Sequence, residues 1–573
     1  MTVSSAVGRE AAFPLPRSLR WPSAVTVVCG AALALVALFV LYPVVLLIAN
    51  SFHEGALGQE TGWGLANWRE AVTQPAILSA LLNTLTLAIT RQAISIVIAI
   101  GLAWLIARTD LPGRNWLEFG FWTAVFMPQL TVTLAWIMIF DGFNGIANQV
   151  LNAHVFDIYS WWGIVSAHLL SGTIAVQVML LIPAFRNLDA SLEEASRASG
   201  ASMRRTLTNI VVPVLAPAIL VVALLGTIRG METFETELVL GGPITLDVFS
   251  TKIYRLTLTE PPQYGIATAL SIAVLFIVLP LVLLQQRYAG RRNFTTVSGK
   301  FQARRTELGK YRLPLFALVA MIVLTITVVP ATLVTVGTFM NIFGKFTIAQ
   351  PWTLRNWQTV LASSTFSRAL LNTLVISAGS AVLAMVAFTG LAYIIVRTRF
   401  VLRGVVDFLV WLPSTFPGII LGLGFLWLFL GTWFLRPLYG STFILILVAA
   451  LGGMTLTTQI VKAGILQLGA ELEEASQASG AKWFDTLRRV VIPLIAPTIA
   501  VVGVLGFSFA ARTTGSIALL STATNQPLSM VQLTMAASSQ FGPASVIGVF
   551  LMLLTVGAAL IARALGLRFE GVR

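Results

Sequence analysis

The segment Glu193 to Pro213, EEASRASGASMRRTLTNIVVP, recurs without a gap at Glu473 to Pro493 as EEASQASGAKWFDTLRRVVIP, with 12 of 21 positions identical. Average residue usage gives about one or two such matches by chance. Each copy is a polar island between long apolar runs, so the chain is constrained to fold as two copies of one plan. The repeat extends further. Asn83-Thr84-Leu85 matches Asn372-Thr373-Leu374, and Gly101, Ile106, Arg108 and Thr109 match Gly390, Ile395, Arg397 and Thr398. Asn67-Trp68 matches Asn356-Trp357, Pro128 pairs with Pro413, and Ala216-Pro217 pairs with Ala496-Pro497.

The apolar runs set the solvent. The chain of 573 residues is 57% hydrophobic and 10% charged, against about 25% charged in soluble domains. Crossing the hydrocarbon core as a helix takes about 20 apolar residues. Runs of that length predict twelve spans, near 23–49, 78–107, 119–140, 160–184, 207–230, 264–286, 314–341, 369–396, 404–431, 441–461, 490–511 and 542–562. Nothing alternates with period two, and lipid admits only helices and closed barrels, so the expectation is an all-α membrane protein. The run from Ala24 to Ala49 is too long for a signal-peptide core and lacks a small-residue cleavage site, so it reads as a retained first helix. The one cysteine, Cys29, leaves no disulfide or cysteine-based metal site.

Basic residues orient the chain, because Lys and Arg concentrate on the cytoplasmic side. With the N-terminus inside, the inner segments hold 27 of the 37 basic residues, the outer loops hold 8, and Arg91 and Arg229 fall in or at the end of spans. Both termini and both repeated loops are then cytoplasmic, as in a multi-pass protein of a bacterial plasma (inner) membrane. The net charge of +14 follows from this topology and requires no nucleic acid. An even helix count gives two homologous six-helix halves in the same orientation, a parallel repeat. The halves are expected at 1–287, with loop 188–213, and at 313–573, with loop 468–493. A basic cytoplasmic linker at 288–312 joins them, its charge read as a headgroup anchor and topology signal.

The pattern Glu-Ala-x-x-x-x-Gly, nine residues, then a branched aliphatic two positions before Val/Ile-Pro resembles the EAA loop of binding-protein-dependent ABC importer permeases. Two copies in one chain resemble two fused permease subunits of the type I importer class. The resemblance implies that each loop forms a short coupling helix seated in a cleft of an ATPase subunit. Carried over residue by residue, the coupling positions are Glu193, Glu194, Ala195, Gly200 and Pro213 in the first copy. In the second they are Glu473, Glu474, Ala475, Gly480, Phe484 and Pro493. The third motif position is Ser196 and Ser476 in place of alanine. Leu188, Ala190, Leu192 and Ala195 give a small apolar stripe suited to a docking helix. Gly200 and Gly480 sit where such a helix would end in a left-handed cap, and Pro213 and Pro493 fall near the start of the next span, where a missing N–H costs least.

No G-x-x-x-x-G-K-[ST] loop occurs, since Ser298-Gly299-Lys300-Phe301 lacks the upstream spacing and the hydroxyl. The chain is therefore expected not to be an enzyme. ATP and magnesium would sit on a partner ATPase, two copies of which would close on ATP, and no cofactor is assigned to this chain. His53, His154 and His168 are scattered, so no metal site is assigned. The implied partners are those ATPases, a periplasmic or lipid-anchored binding protein, and the bilayer. The rival class is an ion-coupled secondary transporter, for which Asp407 is the main acidic candidate within a span.

For the substrate, the fused layout and the stretch Met231 to Pro243, METFETELVLGGP, resemble the ferric iron and thiamine branch of the family. That resemblance implies ferric iron first, with thiamine, a polyamine, phosphonate or another small solute as alternatives. Glu232, Glu235 and Glu237 at the outer end of the fifth span are apt for a hard cation, with Glu232 and Glu235 on one face if the helix continues. The matching stretch in the second half carries Arg512 where an acidic residue is expected. The outer loops of the first half hold ten acids, Glu54, Glu60, Glu70, Asp141, Asp157, Glu232, Glu235, Glu237, Asp247 and Glu260, and those of the second half none. Either a two-lobed binding protein docks on this asymmetry, or the loops are simply solvated. Arg91, deep in the second span, is a functional candidate by its position, unless it snorkels or pairs with an inward carboxylate.

Overall fold

The computed structural model describes residues 23–54, 62–153, 156–290 and 306–564. Among them nine helices are long and apolar enough to cross a bilayer, and three bent pairs bring the number to twelve when each pair is one span. All twelve lie on the predicted apolar runs, and the described residues form no strand beyond isolated bridges. The chain is an all-α membrane protein. The two repeated loops lie on one side of the bundle, called here the loop face, opposite the far face.

The sixth span runs on to Gly290 and the seventh begins at Gly309. The expected linker of 288–312 is therefore overlapped by helix at both ends; of the residues between, 291–305 lie outside the described residues, as does Glu60.

Bends fall where prolines forbid a continuous helix. Arg114–Phe126 and Gln129–Phe140 meet at 99°, and Arg403–Thr415 and Gly418–Gly431 meet at 114°. The second helix of each pair is N-capped by a proline in extended geometry, Pro128 (ψ 128°) and Pro417 (ψ 139°). The structural counterpart of Pro128 is thus Pro417. Pro413, the partner expected from sequence, sits inside the short turn Leu412–Thr415. Pro213 and Pro493 also depart from expectation. Helical turns already precede them from Met203 and Trp483, and a widened π turn (Leu207–Val211, Leu487–Val491) comes directly before each proline segment. The wider turn re-routes the bonding that the missing N–H would break.

Each half lends its first span to the other. The first span packs on Gly418–Gly431 of the ninth as well as on the sixth, and the seventh packs on the third and the twelfth. One hydrophobic core accordingly runs through both halves, from Leu134 and Leu270 to Phe425 and Val448. At the far face the repeated Asn-Trp pairs do the same work twice. Asn67 Nδ2 donates to His53 O (2.9 Å) and Asn356 Nδ2 to Met340 O (2.9 Å), while Trp68 Nε1 and Trp357 Nε1 donate to Ser51 Oγ (3.2 Å) and Thr338 Oγ1 (3.0 Å).

Candidate functional site

The two repeated loops fold as short helices, Ala190–Ala198 and Glu471–Ala478. Each stops at a glycine in the left-handed region, Gly200 at φ +80° and Gly480 at φ +88°, a conformation glycine adopts without a Cβ penalty. The cap is completed by Ala201 N on Ser196 O (3.1 Å) and Ala481 N on Ser476 O (3.2 Å). The serines that replace alanine in the motif have a task of their own. Ser196 Oγ lies 3.0 Å from Thr206 Oγ1, and Ser476 Oγ lies 3.0 Å from Thr486 Oγ1. Each pair closes its helix onto the turn beyond it, a tie that sequence reading missed although Thr206 and Thr486 are among the identical positions.

The adjacent glutamates divide their roles. Glu193 and Glu473 are buried, while Glu194 and Glu474 are exposed. The buried pair face arginines ending the second and eighth spans: Arg108 Nε is 3.0 Å from Glu193 Oε1, and Arg397 Nε is 2.9 Å from Glu473 Oε1. Thr306 Oγ1 donates to Glu193 Oε2 at 3.4 Å, and Tyr393 OH donates to Glu473 Oε2 at 2.6 Å. Both arginines lie within the matched sequence, but nothing there gives them a partner. Leu188 belongs to the interior and not to a docking stripe, whereas Leu192 and Leu472 are exposed at 39% and 48%. Ala195 and Ala475 are exposed beside them. Phe484 stands 61% exposed, with Trp483 half-buried against Tyr393 (ring centroids 5.9 Å apart).

Beyond the fifth span the geometry overturns the idea of a shared carboxylate face. The helix ends at Met231 with Glu232 as its cap, Phe234 leaves helical geometry (φ −139°), and a new helix starts at Glu235. Each acid then meets its own partner. Glu232 Oε2 pairs with Arg229 Nη1 at 2.7 Å, and Glu235 faces Thr514 and Arg512 of the second half. Glu237 is buried against His168 Nε2 (2.8 Å) and Arg91 Nη1 (3.7 Å). Arg91 is 3% exposed, so it pairs inside the bundle and does not snorkel. Gln129 Nε2 lies 2.8 Å from His168 Nδ1, and Gln177 Nε2 donates to Gln92 Oε1 at 2.7 Å, extending a polar seam through the first half. Gly226 and Gly230 on the fifth span leave room for Gln92 and Arg91, since a Cβ at either would meet those side chains within 3 Å. In the second half, buried Ser380, Val448 and Ile517 occupy the positions of Arg91, His168 and Glu237.

Arg512, the departure noted in sequence, crosses between halves. Its Nη1 donates to Val125 O and, at 3.4 Å, to Met127 O, the carbonyls left open where the third span breaks. A cation there complements the C-terminal end of a helix. Gln532 Nε2 adds a second crossing to Thr131 Oγ1 at 3.0 Å. Several outer acids do local work: Asp141 caps the turn at Phe143 and Asn144, Asp157 caps Tyr159, Glu54 accepts from Ala66 N, and Asp247 pairs with Arg255 at 3.2 Å. Each of these four acids is held by a group of its own half. Asp407 pairs with Lys462 at 2.8 Å, which leaves it poorly suited to an ion relay.

Nine long apolar helices and three bent pairs, arranged as two exchanged halves with a matched short helix on one face of each, define a two-fold membrane permease. The chain belongs to the binding-protein-dependent transport system inner membrane component family, whose pattern it matches at residues 95–293 and again at 385–571. It is similar to the ferric transport system permease protein FbpB of Actinobacillus pleuropneumoniae, 26% identical over 93% of this chain and 77% of that protein. The Fe(3+)-transport system permease protein FbpB 2 of Haemophilus influenzae is 22% identical over 86% of this chain and 90% of its own length. The sulfate transport system permease protein CysT of Salmonella typhimurium is 27% identical, over 47% of this chain and 94% of its own. The chain is a multi-pass permease of an ABC importer.

Proposed function

We propose that this permease imports ferric iron, received from a binding protein at the far face and released at the loop face, which is cytoplasmic. The observation that carries the coupling part is the twofold loop helix. Each copy offers one exposed motif glutamate, Glu194 or Glu474, on a helix anchored from behind by its buried neighbour. Two ATPase subunits closing on ATP draw the loop helices together and turn the cavity between the halves from inward-facing to outward-facing. Ferric iron is supported by likeness to ferric permeases along nearly the whole chain, whereas the sulfate permease matches only one half's length. Because Glu232, Glu235 and Glu237 each have their own partner, discrimination of the cation is assigned to the binding protein and not to a carboxylate funnel.

The test is uptake of labelled ferric iron by cells expressing the permease with its ATPase and binding protein. Wild type takes up iron, and Glu194→Ala/Glu474→Ala lowers the rate roughly tenfold or more while the protein remains inserted. Absence of iron uptake by wild type would remove the substrate. A double variant transporting at the wild-type rate would remove the coupling role.

A further inference from the structure

The guanidinium of Arg108 holds more than a carboxylate. Its Nη1 donates to Leu188 O at 3.0 Å, the carbonyl just beyond the fourth span, while Nε faces Glu193 in the loop helix. Arg397 repeats this: Nη2 donates to Ile465 O (3.0 Å) in the last turn of the tenth span and to Leu468 O just beyond it, while Nε faces Glu473. One arginine therefore joins three elements in each half. The first joint is buried, its side chains 3% and 7% exposed, and the second is largely so, at 15% and 11%; in such surroundings an ion pair with additional hydrogen bonds is costly to break.

These arginines end the second and eighth spans, Pro75–Arg108 and Ser364–Arg397, each 34 residues long, or about 50 Å at the helical rise. Toward the far face the same two spans are tied again. Asn83 Nδ2 donates to Asp247 O (3.0 Å) and Thr84 Oγ1 accepts from Phe249 N (2.9 Å). In the second half Asn372 Nδ2 donates to Gln526 O (3.2 Å) and Thr373 Oγ1 accepts from Leu528 N (2.8 Å). The second of these segments opens the helix Leu528–Ala537, which carries Gln532 and its crossing to Thr131 of the other half.

We propose that Arg108 and Arg397 are positioning residues for coupling. Through Glu193 and Glu473 they fasten the loop helices to the second and eighth spans, which carry a displacement at the loop face to the crossings between the halves. The proposal rests on the importer reading above and names its transmission. Looser fastening leaves the ATPase bound but the far-side crossings unmoved.

A thiol reporter at the crossing distinguishes the possibilities without requiring a known substrate. Thr131→Cys is placed in a Cys29→Ser background, the complex with its ATPase is put into lipid nanodiscs, and maleimide labelling is compared with and without ATP and vanadate. The reporter background labels faster when trapped. Glu193→Gln/Glu473→Gln, nearly isosteric, retains the ATPase on co-purification but loses most of that rise. Arg108→Glu loses it too, and Arg108→Glu/Glu193→Arg regains it. A full rise in the glutamine pair, or a swap no better than the single reversal, overturns the proposal. A reporter background unresponsive to ATP and vanadate would instead bring down the importer reading, and the positioning role with it.

Discussion

At the scale of single residues, the two halves solve one packing problem in opposite ways. The first half buries Arg91, His168 and Glu237 together, and the second places Ser380, Val448 and Ile517 at the same positions. Removing one member of a buried charged set typically costs about 3–5 kcal/mol, whereas replacing the whole set by packed apolar groups is often neutral or stabilising. Glu237→Ile is therefore expected to lower the thermal unfolding temperature in detergent sharply. Arg91→Ser/His168→Val/Glu237→Ile, which transplants the solution of the second half, should recover most of the loss. A triple variant less stable than the single one would show that the charges stabilise the fold in themselves. Little of this set is legible in sequence. Arg91 is conspicuous there, but its partners lie 77 and 146 positions away, and no local pattern joins them.

At the scale of elements, the loop helices are readable because their signals are local. The glycine cap, the exposed Leu192 and Leu472, and the motif glutamates all fall within one or two turns of each other. The turn after each helix differs between copies: Met203-Arg204-Arg205 against Trp483-Phe484-Asp485. Burying an exposed aromatic in a groove contributes about 1.5–3 kcal/mol, more than a solvent-screened cation. Phe484→Ala is thus expected to weaken retention of the ATPase in a pull-down by roughly tenfold or more, and Arg204→Ala by much less. Equal retention by the two variants would place the aromatic outside the contact. The bends of the third and ninth spans are not legible in the same way. Proline marks a possible break, but the packing around Pro128 and Pro417 selects a sharp turn over a mild kink.

At the scale of the whole molecule, the exchange of the first and seventh spans makes each half part of the other's wall. Assembly then depends on packing between halves more than on the covalent connection, with Arg512 and Gln532 as polar crossings. Two polypeptides ending and starting near residue 298, coexpressed with a tag on one, are expected to co-purify in equal amounts from membranes. Adding Arg512→Ala/Gln532→Ala should lower the recovered partner. Halves that fail to associate without the connection would show that it, and not the exchanged spans, holds the molecule together.

The sequence alone determined the solvent, the placement of the apolar helices, the two-copy plan and the position of the loop helices. Hydropathy, composition and a motif are all local properties that survive without knowing what touches what. Only the tertiary structure decided which glutamate of each motif is buried and which is presented. It also decided that the three carboxylates beyond the fifth span part company, and that Arg512 serves the opposite half. Those outcomes depend on which distant group reaches each charge once the helices pack. In an apolar interior a charge without such a partner is too costly to keep, so the partner sets the role.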